Sequence, residues 1–294
     1  MTSPPARRAR LSIRAETVKG ILTRSSGYLR TVCSHSLQPY RGCPLGRSLC
    51  GVGCYVQHNR WLLRGHAWGS FLAPRSNAAA VYSRQAARER RWARRARGGF
   101  AVFLSSACEP FPPQEQRFGA TCAVLEAMLG EPPDLLIVQT HSPSVTRHRD
   151  LLVRLAGRCE LRVHISVESD RARLHPLPPP ASAPARRLAA AARLRAAGIE
   201  TVITVSPLLP IEDPEAFFAR ISEVADAVVL DHFIGGDGSP NGARTRRTPL
   251  LAAMAAVDPQ SIDLAYRDRM EAVAARYLPG RVGISIEGFA GRYQ

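Results

Sequence analysis

Lysine is almost absent from this sequence: Lys19 is the only one among 40 basic residues, so the positive charge rests on arginine. Long apolar runs are missing too. No window approaches the ~18 unbroken apolar residues of a membrane span, so no membrane role is expected. The start, MTSPPARRARLSIR, has charge but no apolar stretch ahead of a cleavage site; no secretory leader is expected, and the cytoplasm is the expected location. An even set of cysteines is lacking as well. Seven in a chain for which no leader is expected argue against a disulfide framework. What is plentiful is apolar residues, at 45%, which excludes wholesale disorder. At 294 residues the chain can bury a core without disulfide or metal staples, as one large domain or two small ones.

The net charge of +16 would ordinarily point to a polyanion partner. The arginine bias and heavy alanine usage read equally well as codon bias, so clustering carries more information. One cluster exists, SRQAARERRWARRAR over 83–97. It reads either as a solvated helix face or as a surface for a phosphate backbone.

Apolar runs at 31–37, 100–104, 135–138, 161–167, 201–205 and 227–230 predict strands. Helical spacing lies between them, at Phe118, Cys122, Leu125 and Leu129, over 150–156, in an Ala/Arg helix ending at Gly198, and over 214–224. Alternating strands and helices imply βαβ units and a parallel sheet of about six strands, too few for a full eight-stranded barrel. Chemistry in such folds sits on the loops after the carboxyl ends of strands. The last ~50 residues read as a helical appendage with a short strand at 282–286. Three segments are expected: a flexible tail at 1–13, a core at 14–245 and a C-terminal helical extension at 246–294.

Function begins to show in the loop QPYRGCPLGRSLCGVGCY, which holds Cys43, Cys50 and Cys54. Three thiols in one glycine-rich loop can wrap a metal centre, and thiolates suit both iron–sulfur clusters and zinc. Three ligands would leave one iron of a four-iron cluster open to a further ligand. With His58 the same cysteines make a Cys3His set suited to zinc. That alternative describes a non-redox α/β protein with a structural zinc and a nucleic-acid-binding role.

The loop resembles the cluster loop of radical S-adenosylmethionine (radical SAM) enzymes of the spore photoproduct lyase type, whose text is close to NPYRGC-x3-C-x2-CY. Upstream, Glu16-Thr-Val-Lys19-Gly-Ile-Leu is similar to the segment preceding that loop. Downstream, Ala73-Pro-Arg-Ser-Asn77-Ala, Ser105-Ser-Ala-Cys-Glu109-Pro-Phe-Pro-Pro113, Gln139-Thr-His-Ser-Pro143 with Arg149-Asp-Leu-Leu152, His164-Ile-Ser166-Val-Glu168 and Pro207-Leu-Leu-Pro210 are similar in turn. The likeness runs from about residue 14 to 245. It departs at the cysteine spacing, six and three residues here against three and two, and at Gly53, where an aromatic is usual. Glycines at 42, 46, 51 and 53 are expected to give the longer loop its slack.

The resemblance implies a partial (β/α)6 TIM-type barrel. It implies a [4Fe-4S] cluster on Cys43, Cys50 and Cys54, and S-adenosylmethionine cleaved by one electron to methionine and a 5′-deoxyadenosyl radical. An electron donor such as flavodoxin or ferredoxin is implied too. Among activities of this type, repair of a DNA lesion by a carbon–carbon lyase makes DNA a partner. Ser105 and Ser106 are expected at the methionine end, Ser166 and Glu168 at the ribose or amino group, and Tyr55 beside the adenine or in the core. Cys108 is a hydrogen donor to a substrate radical or an ordinary buried cysteine. His141 and His232 follow apolar strands and are expected near the site mouth, while Cys33, Cys122 and Cys159 read as core.

Overall fold

The computed structural model describes residues 11–294. Eleven strands are seen among them: β1 (Ser12–Ile13), β2 (Leu22–Arg24), β3 (His35–Leu37), β4 (Tyr40–Gly42), β5 (Phe71–Pro74), β6 (Ala101–Leu104), β7 (Leu135–Thr140), β8 (Glu160–Ser166), β9 (Glu200–Val205), β10 (Ala227–Leu230) and β11 (Val282–Ile284). Eight form one sheet, in the order β11-β10-β9-β8-β7-β6-β3-β2, and β1-β5-β4 form a second. All neighbours in the large sheet are parallel except β2 on β3. Helices between the parallel strands, such as Ala78–Arg97, Ala120–Gly130, Pro184–Arg195 and Pro214–Val224, follow from the long crossover that parallel pairing requires. None of the described helices is long and apolar enough to cross a membrane.

Period-two alternation explains both faces of the sheet. Val102, Leu104, Leu136, Val138, Val163, Ile165, Ile203, Val205, Val228 and Leu230 face the helices in one large core. The other face begins with an apolar floor of Phe103, Ile137, Val202 and Val229, capped by Phe289. His164 joins that floor edge-on to Phe103, fully buried and held neutral by its burial. One pleat further on, the same face turns polar, at Ser105, Gln139, Ser166, Thr204 and Asp231. Sequence position along each strand thus sets the depth of the site.

The edge strands β11 and β2 do not pair, so the sheet is open. It nevertheless curls. Flat, the five steps from β3 to β10 would span about 24 Å, yet Tyr28, in the turn before β3, donates a hydrogen bond to Asp231 after β10. Phe289, beyond β11, also touches Phe103 of β6. The architecture is the expected partial barrel, with more strands than six.

Several expectations change. The tail expected over 1–13 falls largely on residues 1–10, outside the described residues, while Ser12 and Ile13 pair with Phe71 and Leu72. The strand expected over 31–37 shortens to its last three residues, because Gly27–Thr31 takes a 3-10 turn. The C-terminal segment is more than an appendage, since β11 extends the main sheet beside β10. Cys122 is not core. The buried face of its helix is Ala120, Thr121, Val124, Leu125 and Met128, and the Cys122 thiol meets the exposed Glu126 carboxylate instead. Cys33 is core as expected, and Cys159 is half-buried at the core's edge.

Candidate functional site

The cysteine loop is suspended between paired stems. β4 and β5 are antiparallel, with Tyr40 opposite Pro74 and Gly42 opposite Leu72. Motif residues around the loop tie those stems to the rest of the fold. The Arg41 guanidinium forks onto Glu16 at 3.0 and 3.2 Å. Asn77, at the start of the helix Ala78–Arg97, exchanges two 2.9 Å hydrogen bonds with the Val18 backbone.

Within the loop the glycines act by close approach rather than by slack. A Cβ on Gly51 would lie 2.2 Å from the Gly46 backbone, and one on Gly46 would lie 2.4 Å from the Cα of Gly69. Three backbone segments therefore pack directly on one another, and the added residues fold into compact turns. Cys43 precedes the 3-10 turn Pro44–Arg47, Cys50 sits in the short helix Leu49–Gly53, and Cys54 ends that helix.

All three thiols open onto one cavity of about 580 Å³. Burial pushes each of them up, Cys54 to about 11, and mutual repulsion adds to the rise at Cys43 and Cys50. A metal centre binding them as thiolates would reverse that cost. The donor set is soft and shares one cavity, which fits an iron–sulfur cluster. His58 is exposed and does not line the cavity, so the structure does not bring together the Cys3His set. Among the described residues no three His, Cys, Asp or Glu side chains form a site for a single metal ion.

The polar layer of the sheet forms another wall of this cavity. Ser105, Ser106, Cys108, Gln139, His141 and Ser166 line it. Ser105 follows β6 with φ +74°, a left-handed conformation that costs a non-glycine residue of order 1 kcal/mol and is seen where surrounding contacts enforce it. Gln139 donates through Nε2 to Ser166 and Thr204 at 2.6 and 2.9 Å. Its own Oε1 is buried without a partner, an acceptor suited to the N–H and O–H groups of S-adenosylmethionine. Sequence reasoning missed Gln139 as a site residue. The available signal was its place one pleat above the apolar run of β7.

Tyr55 lies at the cavity edge, 39% exposed, and its hydroxyl donates to the Ser106 carbonyl at 2.6 Å. That bond joins the residue after the third cysteine to the end of β6. The Cys108 thiol contacts Gln38 Oε1 at 3.4 Å and Ser105 Oγ at 3.7 Å, and burial pushes it up to about 11. It is a protonated thiol facing the same space as the loop cysteines.

Glu168 stands behind this surface. Arg187 Nη1 is 2.7 Å from its Oε2, and His141 Nε2 is 3.1 Å from its Oε1. Burial alone would raise the Glu168 carboxyl, but the charges and hydrogen bonds of Arg187 and His141 hold it well below its ordinary range. Of the pair, His141 lines the cavity and Glu168 does not. His232 departs from expectation, being fully buried. Its Nδ1 accepts from the Ile234 amide and its Nε2 meets the Ser261 carbonyl.

The arginine run divides by partner. Arg90 bonds Glu131, Arg94 bonds Asp134, and Arg97 reaches the carbonyls of Arg30 and Ser25. Arg88 bonds Glu89, while Arg84, Arg91 and Arg95 are exposed and fall on one helical stripe by their spacing of seven and four. None of the run lines the cavity.

No family model matches the sequence, and no curated protein matches it. Solved structures do resemble the fold. Spore photoproduct lyase complexed with dinucleoside spore photoproduct aligns with TM-score 0.63 at 13% identity, covering 93% of this chain and 81% of that one. A mutant of the same lyase with bound AdoMet and dinucleoside spore photoproduct gives 0.61 at 14% identity over the same shares. The likeness is one of fold, the mixed α/β architecture built on a parallel-strand sheet.

Proposed function

We propose that this chain is a radical SAM enzyme that holds a [4Fe-4S] cluster on Cys43, Cys50 and Cys54 and binds S-adenosylmethionine in the same cavity. The observation that carries this reading is that three soft donors of one compact loop line the same cavity as the polar strand-end layer. When bound, the two cofactors supply a one-electron cleavage to methionine and a 5′-deoxyadenosyl radical that abstracts hydrogen.

The chain's own residues then have distinct tasks. Ser105 and Ser106 present hydroxyls for the methionine end. The Gln139 carbonyl and the Ser166 hydroxyl accept from ribose or amino groups. Glu168 acts through His141, fixing the imidazole that faces the ligand. Tyr55, tethered to Ser106, covers the loop side beside the adenine. Phe103, Phe233 and Phe289 supply apolar lining that excludes water. Cys108 stays protonated at neutral pH and offers its S–H hydrogen to a substrate radical.

Repair of a DNA lesion by a lyase is the finer reading. A lesion must be extruded from the duplex to reach such a cavity, at a cost of a few kcal/mol that is least for damaged bases. The exposed stripe Arg84, Arg91 and Arg95 supports a phosphate-binding role. A small electron-transfer protein such as flavodoxin or ferredoxin would deliver the electron.

The test is iron, acid-labile sulfide and zinc per chain after anaerobic reconstitution, beside a Cys43/Cys50/Cys54 triple alanine variant. About four iron and four sulfide, absent from the variant, with reductive formation of 5′-deoxyadenosine, supports the reading. One zinc without iron ends it.

A further inference from the structure

Six carboxylate side chains are buried among the described residues: Glu89, Glu109, Glu115, Glu168, Asp231 and Asp237. Five of them are met by a cation or by backbone N–H groups. Glu89 bonds Arg24, and Glu168 bonds Arg187. Glu109 accepts from the amides of Phe111 and His141, Glu115 from Thr121 and Cys122, and Asp237 from Ser239 and Thr245.

Asp231 is the exception. It is 4% exposed, and its hydrogen-bond partners are hydroxyls alone, with the Arg267 charge the smallest of the influences on it. Ser206 donates to Oδ2 at 2.8 Å, Tyr28 donates to Oδ1 at a long 3.3 Å, and Ser285 adds a third bond. Buried carboxylates are normally paired because desolvation is costly. Here burial instead pushes the carboxyl up to about 6. The group lines the cavity and retains lone pairs beyond those its hydroxyls use.

Its surroundings fit a flat ring carrying an anion. Tyr28, Phe233 and Phe289 line the same cavity, as does Arg244, an exposed residue that bonds the Asp237 carbonyl. Gly236 also lines it and lies flush on the carboxylate. A Cβ there would come within 2.5 Å of both oxygens, so this glycine leaves the group room.

We infer that Asp231 anchors the substrate, accepting a hydrogen bond from the ring N–H of a nucleobase whose phosphate meets Arg244. The inference rests on the proposed nucleic-acid substrate and adds the residue that selects it. The adenine amino group of S-adenosylmethionine could use the same acceptor, so the test must separate the two.

Full-length wild type, Asp231→Asn and Gly236→Ala are compared at pH 8 by calorimetric binding of thymidylyl-thymidine, of its N3-methylated analogue and of S-adenosylmethionine. Thymidylyl-thymidine is expected to weaken about tenfold or more in both variants, and the methylated analogue by as much on wild type. S-adenosylmethionine binding stays unchanged. The methylated probe needs no mutation, so the result survives a variant that fails to fold. Equal binding of the two dinucleotides overturns the inference, as does a wild type that binds neither. Variants that lose S-adenosylmethionine but keep the dinucleotide overturn it in favour of the adenine. Iron and sulfide assays on the same preparations report on the cluster separately. A chain without iron whose dinucleotide binding depends on N3–H keeps the anchor and loses the radical chemistry. An iron-loaded chain indifferent to methylation does the reverse.

Discussion

Arg187, in the helix after β8, reaches back to the Glu168 carboxylate at 2.7 Å and to the Ser166 carbonyl at 2.5 Å, with both side chains buried. Removing one partner of such a pair leaves an uncompensated buried charge and typically costs 3–5 kcal/mol. Glu168→Gln is therefore expected to lose about 3 kcal/mol at pH 7 by denaturant unfolding. The native carboxyl is held below its unfolded value, so its stabilisation is complete above the ordinary glutamate range and is lost as pH falls through the native value. The gap between wild type and variant should narrow toward pH 3. A gap independent of pH would show that Arg187 and Glu168 are not coupled as charges.

Cys108→Ala tests the donor role. Its thiol hydrogen-bonds the Gln38 and Ser105 side chains and packs beside Tyr40, Leu72 and Ala120, so iron content and S-adenosylmethionine cleavage should match wild type. Substrate products should change, because the quenching hydrogen is missing. Unchanged products would return Cys108 to an ordinary buried cysteine.

The arginine stripe makes a prediction in salt. Alanine at Arg84, Arg91 and Arg95 together should reduce the slope of log affinity for duplex DNA against log salt by about 3. Arg94→Ala removes an arginine committed to Asp134 and should leave the slope alone. Equal slopes for all three proteins would remove this helix from any nucleic-acid surface.

Two glycines of the loop should respond differently to alanine. At Gly46 the added carbon meets backbone of Gly69, whereas at Gly53 it meets the end of the Leu250 side chain. Gly46→Ala is expected to lose reconstituted iron, and Gly53→Ala to retain it. Retention in both would mean that the packing of the loop does not govern cluster binding.

Much of the frame was legible because parallel strands are apolar on both faces and announce themselves as short runs. The strand read at 227–230 and the helix read over 214–224 match the structure. The polar layer was harder to read. Gln139 and Asp231 each sit one residue past an apolar position, and only the pleat shows that they point into a cavity. Cys122 was misassigned because Phe118 belongs to the preceding short helix Glu115–Phe118, and the break at Gly119 rotates the buried face. His232 looked like a mouth residue by position alone. Its two backbone bonds come from residues two and 29 positions away, which spacing does not reveal.

The bond between Tyr28 and Asp231 joins residues 203 positions apart in the chain. A contact of that separation contributes nothing until nearly the whole sheet has been laid down, because loop closure must be met first. The Asp231 side of the cavity thus requires the chain to be present through β10. A nascent chain that has not reached β10 carries the cysteine loop and the wall from β6 to β8, but lacks the Asp231 side that completes the cavity.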